Sequence, residues 1–235
     1  LKSGGYIFEE FKRFLIKNNL INENWNGLNI LVQNASTVGL LDLKILQGKK
    51  EKTSSFFEDL KNRKFKLLYL LGSDNLDFQK NDEFIVYQGS HGDRGAEIAD
   101  LILPSATYTE QNGLYENLEG RIQECKKASY PIGEALEDWK IFNRIIKKLG
   151  LKGKTANFDE LRTEVLETIS NFSEINDLPK KSVIKSINVE TSFFSEKIFV
   201  RELDYYYTNS ISRSSKTMSE CRQIRQKIKK DGTNN

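Results

Sequence analysis

Most of the side chains that could do chemistry lie in one stretch, QGSHGDRGAEIADLILPSATYTEQNGLYENLEGRIQ, from Gln88 to Gln123. It holds the only histidine, His91, close to Asp93, which is the pattern of an acid–base pair. The same two residues also read as an ordinary loop histidine bonded to backbone beside an aspartate. Gly89, Gly92 and Gly95 surround them, and a second small-residue loop, Gly72-Ser73-Asp74-Asn75, lies upstream. Both loops offer backbone N–H groups suited to a phosphate. Neither contains GxGxxG or GxxxxGK[ST], and no GxSxG nucleophile turn occurs. Glu110, Glu116 and Glu119 read as solvated, or paired with Arg121, rather than catalytic.

Loops of this kind need a frame. LNILVQ (Leu28–Gln33), FKLLYLLGSDN (Phe65–Asn75), EFIVYQGS (Glu83–Ser90) and DLILP (Asp100–Pro104) are short apolar runs, three of them ending in glycine or proline. Continuous rather than alternating apolar character predicts strands buried on both faces, as in a parallel sheet. Helical patterns between and around the runs make this an α/β chain with a doubly wound sheet, which places ligands at the carboxyl ends of its strands. Both glycine loops fall there. TSSFFEDLKNR, opening on Thr53, Ser54 and Ser55, predicts a capped helix. Glycine at 4 and 5 before Tyr6, Phe8, Phe11 and Leu15 predicts a helix entered from a turn, of the kind that follows a strand. Segments either side of Glu119-Gly120 predict a β-hairpin with an EG turn. Leu136, Trp139, Phe142, Ile145, Ile146 and Leu149 are spaced as one face of a helix over Glu134–Gly150. FDELRTEVLETI predicts a second helix, INVETSFFSEKIFV an extended run, and Ser214–Lys230 a basic helix. The expected organisation is an α/β domain over 1–150 followed by a helical extension and basic tail over 151–235.

The bulk composition narrows the function classes. With 235 residues and a net charge of +3, the chain is long enough to bury a core. Fourteen Phe and nine Tyr argue against disorder. No run of eighteen apolar residues occurs, so no helical membrane span is predicted. Cys125 and Cys221 stand apart with no CxxC spacing, which reads as free thiols. One histidine and two isolated cysteines leave few soft-metal ligands, so an iron–sulfur cluster held by this chain alone is not expected. Seven Lys/Arg against one Glu between Arg213 and Lys230 suit RNA, an anionic membrane or an acidic partner protein. Without aromatic interleaving, nucleic acid is not the expected partner. Abundant Lys, Asn, Ile, Phe and Ser with only three Pro point to an A/T-rich genome.

The motifs also carry a resemblance. Asp100-Leu101-Ile102-Leu103-Pro104, then Glu110, then Asn117-Leu118-Glu119-Gly120-Arg121-Ile122-Gln123 resemble, in order, the ADLxLP and N-x-EGRxQ signature of the molybdopterin oxidoreductase superfamily. EALEDWKIFNRI, NWNGLNILVQNASTVGLLDL and above all YYYTNSISRSSKTMSEC (Tyr205–Cys221) are similar to the back half of one of its branches, the large iron–sulfur subunit of respiratory complex I.

That resemblance implies a Rossmann-like sheet of the molybdopterin oxidoreductase type, with a hairpin and a C-terminal helical region. It implies a cofactor-free scaffold in the NADH-oxidising arm of NADH:ubiquinone oxidoreductase, on the matrix side of the mitochondrial inner membrane. Iron–sulfur clusters and FMN would sit in partner chains, among them an iron–sulfur half of the same subunit, either as the product of a split gene or joined to this chain. On this reading no residue is catalytic or binds metal. Gly72, Ser73, Asp74, Gln88, Gly89, His91 and Asp93 are vestigial loop residues, while Glu110, Asn117, Glu119, Gly120 and Arg121 hold loops together. Two other function classes stay open: a fragment of an active molybdenum oxidoreductase, and an RNA- or membrane-binding module using the basic tail.

Overall fold

Three of the apolar runs become a parallel sheet. A computed structural model describes residues 5–22, 25–32, 35–45, 59–73, 79–153, 155, 157–169, 172–179 and 204–232. Strands β1 (Leu67–Leu71), β2 (Phe84–Gly89) and β3 (Leu101–Pro104) lie side by side in that order, with Leu68 opposite Ile85 and Tyr87 opposite Ile102. Only the central β2 is buried on both faces; Ile85, Val86, Tyr87 and Gln88 are all buried. The expectation of three doubly buried strands fails for the flanking pair. Leu67 and Leu71 are 57% and 52% exposed, Leu101 and Ile102 44% and 51%. A continuous apolar run marks a strand here without marking its burial, because an outer strand lacks the neighbour that covers it.

Alternation sorts the side chains. Leu68 and Leu70 of β1 join Ile85 and Tyr87 of β2 in a core closed by Leu60, Phe65, Ala96 and Ile98, the last two from helix α3 (Arg94–Ile98). On the other face, Tyr69 stacks on Phe142 with ring centroids 5.7 Å apart. Phe142 belongs to helix α4 (Asp138–Lys148). Asp100 ties β2 to β3: its backbone N–H donates to Ile85 O, and its Oδ2 accepts from Ile85 N, both at 2.8 Å. That backbone bond, with the Lys80 ammonium beside it, holds the Asp100 carboxyl below its ordinary pKa.

The helix expected over Glu134–Gly150 starts later, at Asp138. Leu136 is drawn into the sheet instead, paired in parallel with Ser105; Ala106 N–H donates to Leu136 O at 2.9 Å. The helix then ends on Gly150 at φ 69°, where Gly150 N bonds Lys147 O and Leu151 N bonds Ile146 O, a Schellman closure.

Two compact units make up the chain. The sheet belongs to the one formed by Gly48–Asn112, Lys126–Phe158 and Arg201–Asn235. It also carries α6 (Ser210–Ser214) and α7 (Lys216–Gly232), two helices where one was expected from Ser214. Ser215 is extended (ψ 122°) and its hydroxyl accepts from Met218 N, so a serine cap splits them.

The other unit takes Leu1–Gln47, Gly113–Cys125 and Asp159–Val200. Helix α1 (Gly5–Lys17) buries Leu15, α2 (Thr37–Asp42) is short, and α5 (Phe158–Thr168) follows the pattern read for it. Of Leu28–Gln33, expected as a strand, the described Leu28–Val32 runs without strand pairing, and Leu31 is 84% exposed. A strand needs a hydrogen-bonded neighbour, and among the described residues none lies beside this run. The Thr53–Ser55 cap and the INVETSFFSEKIFV run fall outside the described residues, as does Asp74; helical residues 59–61 are what is described of the TSSFFEDLKNR helix.

The hairpin is present as β4 (Gly113–Glu116) paired with β5 (Ile122–Cys125). Its turn is centred one residue earlier than an EG turn. Gly120 N–H donates to Asn117 O at 3.0 Å, leaving Leu118 and Glu119 at the corners and Gly120 at φ 80°. This is the three-residue hairpin loop in which a left-handed glycine follows the turn. Asn117 Oδ1 accepts from both Glu119 N and Arg121 N at 3.0 Å, which locks it. A Cβ on Gly120 would lie 2.9 Å from Pro179 Cγ. Gly120→Ala combines that clash with a positive φ, so about 1–3 kcal/mol of stability is expected to go. A thermal melt of the chain checks this, and an unchanged Tm would mean that the turn carries no such constraint.

Candidate functional site

At the carboxyl edge of the sheet, where an α/β fold offers its ligand position, the chain fills the space with its own groups. Gln88, the penultimate residue of β2, has 0% exposure. Its Oε1 accepts from the Tyr69 hydroxyl on β1, and its Nε2 donates to Asp138 Oδ1 at 2.6 Å. Asp138, the first residue of α4, takes a second bond on Oδ2 from Gln111 Nε2 at 2.9 Å, while its N–H donates to Gln111 Oε1 at 3.1 Å. The carboxylate therefore sits at a helix N-terminus and is bonded on both oxygens. Burial first, and the Asp138 charge second, push the Tyr69 phenol above its ordinary pKa.

Glu137, one residue before, is 5% exposed and equally committed. It accepts from Trp139 Nε1 at 2.8 Å and pairs with Lys140 at 3.1 Å and Lys127 at 3.3 Å. Burial alone would raise its pKa, but the bonds from Trp139, Lys140 and Lys127 outweigh it and the carboxyl is held below the usual range.

The opposite face of β2 explains two of the glycines. The Tyr87 ring lies under the loop, its hydroxyl donating to His91 O at 2.8 Å. A Cβ on Gly89 would collide with that hydroxyl; one on Gly95 would lie 2.9 Å from the ring and 2.7 Å from Ser73 O. Gly95 thus lets α3 approach the Gly72–Ser73 loop, and Gly72 N–H donates to Gln88 O at 2.8 Å. Gly92 is different: it has open space around it and no positive φ, so nothing in the packing requires glycine there. His91 and Asp93 do not meet as a pair in any hydrogen bond described. His91 Nδ1 lies 3.0 Å from Ser90 Oγ. Asp93 caps α3, accepting from Arg94 N at 2.8 Å, and forms an ion pair with Arg213 of α6. Arg213 is 14% exposed there, which makes the tail motif part of this edge.

Of the other expected residues, Glu110 closes its own turn by accepting from Thr107 N at 3.1 Å. Asn117, Glu119, Gly120 and Arg121 belong to the hairpin unit. There Arg121 donates to Asn176 O and pairs with Glu119 at 3.8 Å.

Comparison with known proteins matches these features to a lineage. The family model described as "Molybdopterin oxidoreductase" matches residues 2–148, and a model of the C-terminal part of an NADH-ubiquinone oxidoreductase subunit matches 176–221. The chain belongs to the molybdopterin oxidoreductase family. Among its relatives, the "NADH-ubiquinone oxidoreductase 75 kDa subunit" of Reclinomonas americana is 37% identical over 94% of this chain and 32% of its own length. The "NADH-ubiquinone oxidoreductase 78 kDa subunit, mitochondrial" of Candida albicans is 36% identical over 94% of this chain and 31% of its own length. A Solanum tuberosum protein, "NADH dehydrogenase [ubiquinone] iron-sulfur protein 1, mitochondrial", is 34% identical over 94% and 29%. The chain thus spans about a third of the length of the curated relatives it matches, and the kinship with the large complex I subunit expected from the motifs holds.

Within this molybdopterin oxidoreductase framework, sequence reasoning missed Tyr69, Gln111, Glu137 and Asp138. A signal existed for the last two, since adjacent acids before an apolar helical pattern suit a helix start. It also misread Glu116. That residue is not solvated: its Oε2 is enclosed, and its carboxyl is hydrogen-bonded to the Asp42 carboxyl at the end of α2. Burial, the hydrogen bond to Asp42 and the like charge together raise the Glu116 pKa from 4.5 to about 7. A pKa raised on folding gives stability that is complete below the unfolded value and is lost as pH climbs through the folded one. The chain is therefore expected to lose stability between pH 4.5 and about 7, and Glu116→Gln to flatten that slope. Chemical unfolding at several pH values reads it out; an unchanged slope in the variant would refute the assignment.

Proposed function

We propose that the chain is a structural, cofactor-free part of the peripheral arm of NADH:ubiquinone oxidoreductase, scaffolding an iron–sulfur electron path that partner chains hold. The observation that carries this is Gln88. The residue at the family's ligand edge is fully enclosed and bonded at both ends by Tyr69 and Asp138. A pterin phosphate does not fit these residues: the Tyr87 ring fills the space under the Gly89–Gly95 loop, and the loop's one aspartate is tied to Arg213. No step of chemistry is therefore assigned to any side chain. The relatives named as NADH-ubiquinone oxidoreductase subunits support the assignment to that complex.

In this reading the sheet is the remnant of a doubly wound Rossmann-like fold. The partners are other peripheral-arm subunits, notably the iron–sulfur half of the same subunit, with clusters and FMN held there. The place of work is the matrix face of the mitochondrial inner membrane, in keeping with the mitochondrial relatives from Solanum tuberosum and Candida albicans. Among the described residues no helix is long and apolar enough to cross a membrane.

Blue-native separation of source membranes, followed by mass spectrometry of the band that reduces dye with NADH, tests the assignment. Peptides of this chain are expected in that band. Their recovery instead from a smaller, NADH-inactive species containing molybdenum would overturn it. The scaffold role has its own test in Gln88→Leu, which strips partners from Tyr69 and Asp138 and costs about 2–4 kcal/mol. Assembled complex is expected to fall severalfold with NADH turnover per complex unchanged. Reduced turnover at normal abundance would sink the scaffold reading.

A further inference from the structure

One long edge of the parallel sheet has no strand beside it among the described residues, and the scaffold reading leaves it unused. Strand order puts β1 outermost. On the far side the chain continues the sheet itself: Leu136 pairs beside Ser105, its N–H donating to Pro104 O at 3.2 Å. Two bonds fix the direction of β1's own groups. Phe84 N–H donates to Lys66 O at 2.9 Å, and Gly72 N–H donates to Gln88 O at 2.8 Å. With Leu67 registered on Phe84 and Leu71 on Gln88, the even-numbered residues from Lys66 to Gly72 are the ones that bond β2. The N–H and C=O groups of Leu67, Tyr69 and Leu71 therefore point away from β2, and among the described residues no backbone group bonds them.

Native sheets blunt an open edge with a lysine, a proline or a bulge. Leu67–Leu71 reads LLYLL in unbroken register, so it has none of these. Its side chains are equally unsuited to water. Leu67, Tyr69 and Leu71 share a face with Phe84 of β2, and Tyr69 is covered there by Phe142 of α4. Leu67, Leu71 and Phe84 are 57%, 52% and 47% exposed. Parallel sheets are built with both faces covered. A helix or a small molecule laid on this face would cover the leucines and leave the edge amides unbonded; a strand satisfies the amides and extends the face. The three strands present all run the same way, which favours a fourth in that direction. A second copy of this chain does not supply it, because two β1 edges related by a two-fold axis pair antiparallel. In the relatives the matched stretch is about a third of the subunit, so the same subunit holds ample further polypeptide there.

We infer that the outer edge of β1 takes a parallel, apolar strand of about five residues from the iron–sulfur half of the subunit. Its main chain bonds Leu67, Tyr69 and Leu71, and its side chains continue the apolar face. This rests on the reading of the chain as part of a larger complex, and adds to it a defined contact, its direction and the chemistry of the occupant.

The test uses the assembled NADH-oxidising complex carrying a benzophenone amino acid at Leu67 or, separately, at Leu71. Irradiation and mass spectrometry are expected to find both adducts on one apolar segment of the polypeptide that bears the cluster cysteines. A parallel strand puts the Leu71 adduct about four residues C-terminal to the Leu67 adduct; the reverse order would overturn the inference. Leu67→Pro removes an outward N–H and keeps the bonds to β2, so the Leu71 adduct is expected to fall about tenfold or more, while Leu67→Val preserves it. An undiminished adduct in Leu67→Pro, or an equal loss in both variants, would show that the edge bond is not what holds the segment. Adducts confined to the 235 residues of this sequence, adducts with a second copy of it or with a different subunit, or no adduct in a complex that oxidises NADH, would likewise overturn the inference and leave the scaffold reading intact. Absence of the chain from the NADH-oxidising complex would instead sink the scaffold reading, and this inference with it.

Discussion

A fully buried carboxamide sets the terms for the sheet's working edge. Gln88 has no access to water, so its oxygen and nitrogen must find partners inside the protein or cost about 1–3 kcal/mol each. Its oxygen finds Tyr69, and its nitrogen finds Asp138. Asp138 is satisfied there by a helix N-terminus and the Gln111 amide as well. That requirement fixes where α4 begins. It explains why Leu136 stays with the sheet and why the helical periodicity visible from Leu136 onward is not obeyed in its first turn. Tyr69 is then held in the orientation that stacks it on Phe142, so one hydrogen-bond obligation orders β1, β2 and α4 together.

Tyr87 imposes the complementary constraint on the other face. In a strand, neighbouring residues point oppositely, so a buried Gln88 puts a large ring at the position before it under the Gly89–Gly95 loop. The ring leaves no room for a Cβ at 89 or 95, and its hydroxyl takes up the His91 carbonyl. Glycines in such a loop are usually read as making room for a phosphate. Here the room is taken by tyrosine, and the glycines at 89 and 95 follow from packing alone.

Much of the frame was legible in sequence. The three parallel strands, the hairpin, α1 and α5 follow from apolar runs and periodicity, and the motif order identified the lineage before any geometry was known. What escaped was set by contacts distant in sequence. Gln88 meets Asp138 across 50 residues and Asp93 meets Arg213 across 120, so no local pattern could pair them. Leu28–Gln33 reads as a strand because strand propensity is local, while the neighbour that a strand needs is not. The hairpin turn was displaced by one residue because Asn117, not the EG dipeptide, organises it through two backbone bonds. Glu116 looked solvated because its one distinguishing neighbour, Asp42, lies far upstream.

Three of the described acids that the fold draws out of water, Asp138, Glu137 and Glu116, are held in two different ways. Asp138 and Glu137 are satisfied by the chain itself: one by amides and a helix terminus, the other by an indole and two ammonium groups. Acids so satisfied lose little by being buried and ask nothing of a partner. Glu116 differs: it is hydrogen-bonded to a second carboxyl, Asp42, and that bond exists only while the pair holds a proton. Glu137 and Asp138 are held by donors that stay in place across the neutral range, whereas the Glu116 contact is lost as pH climbs through about 7.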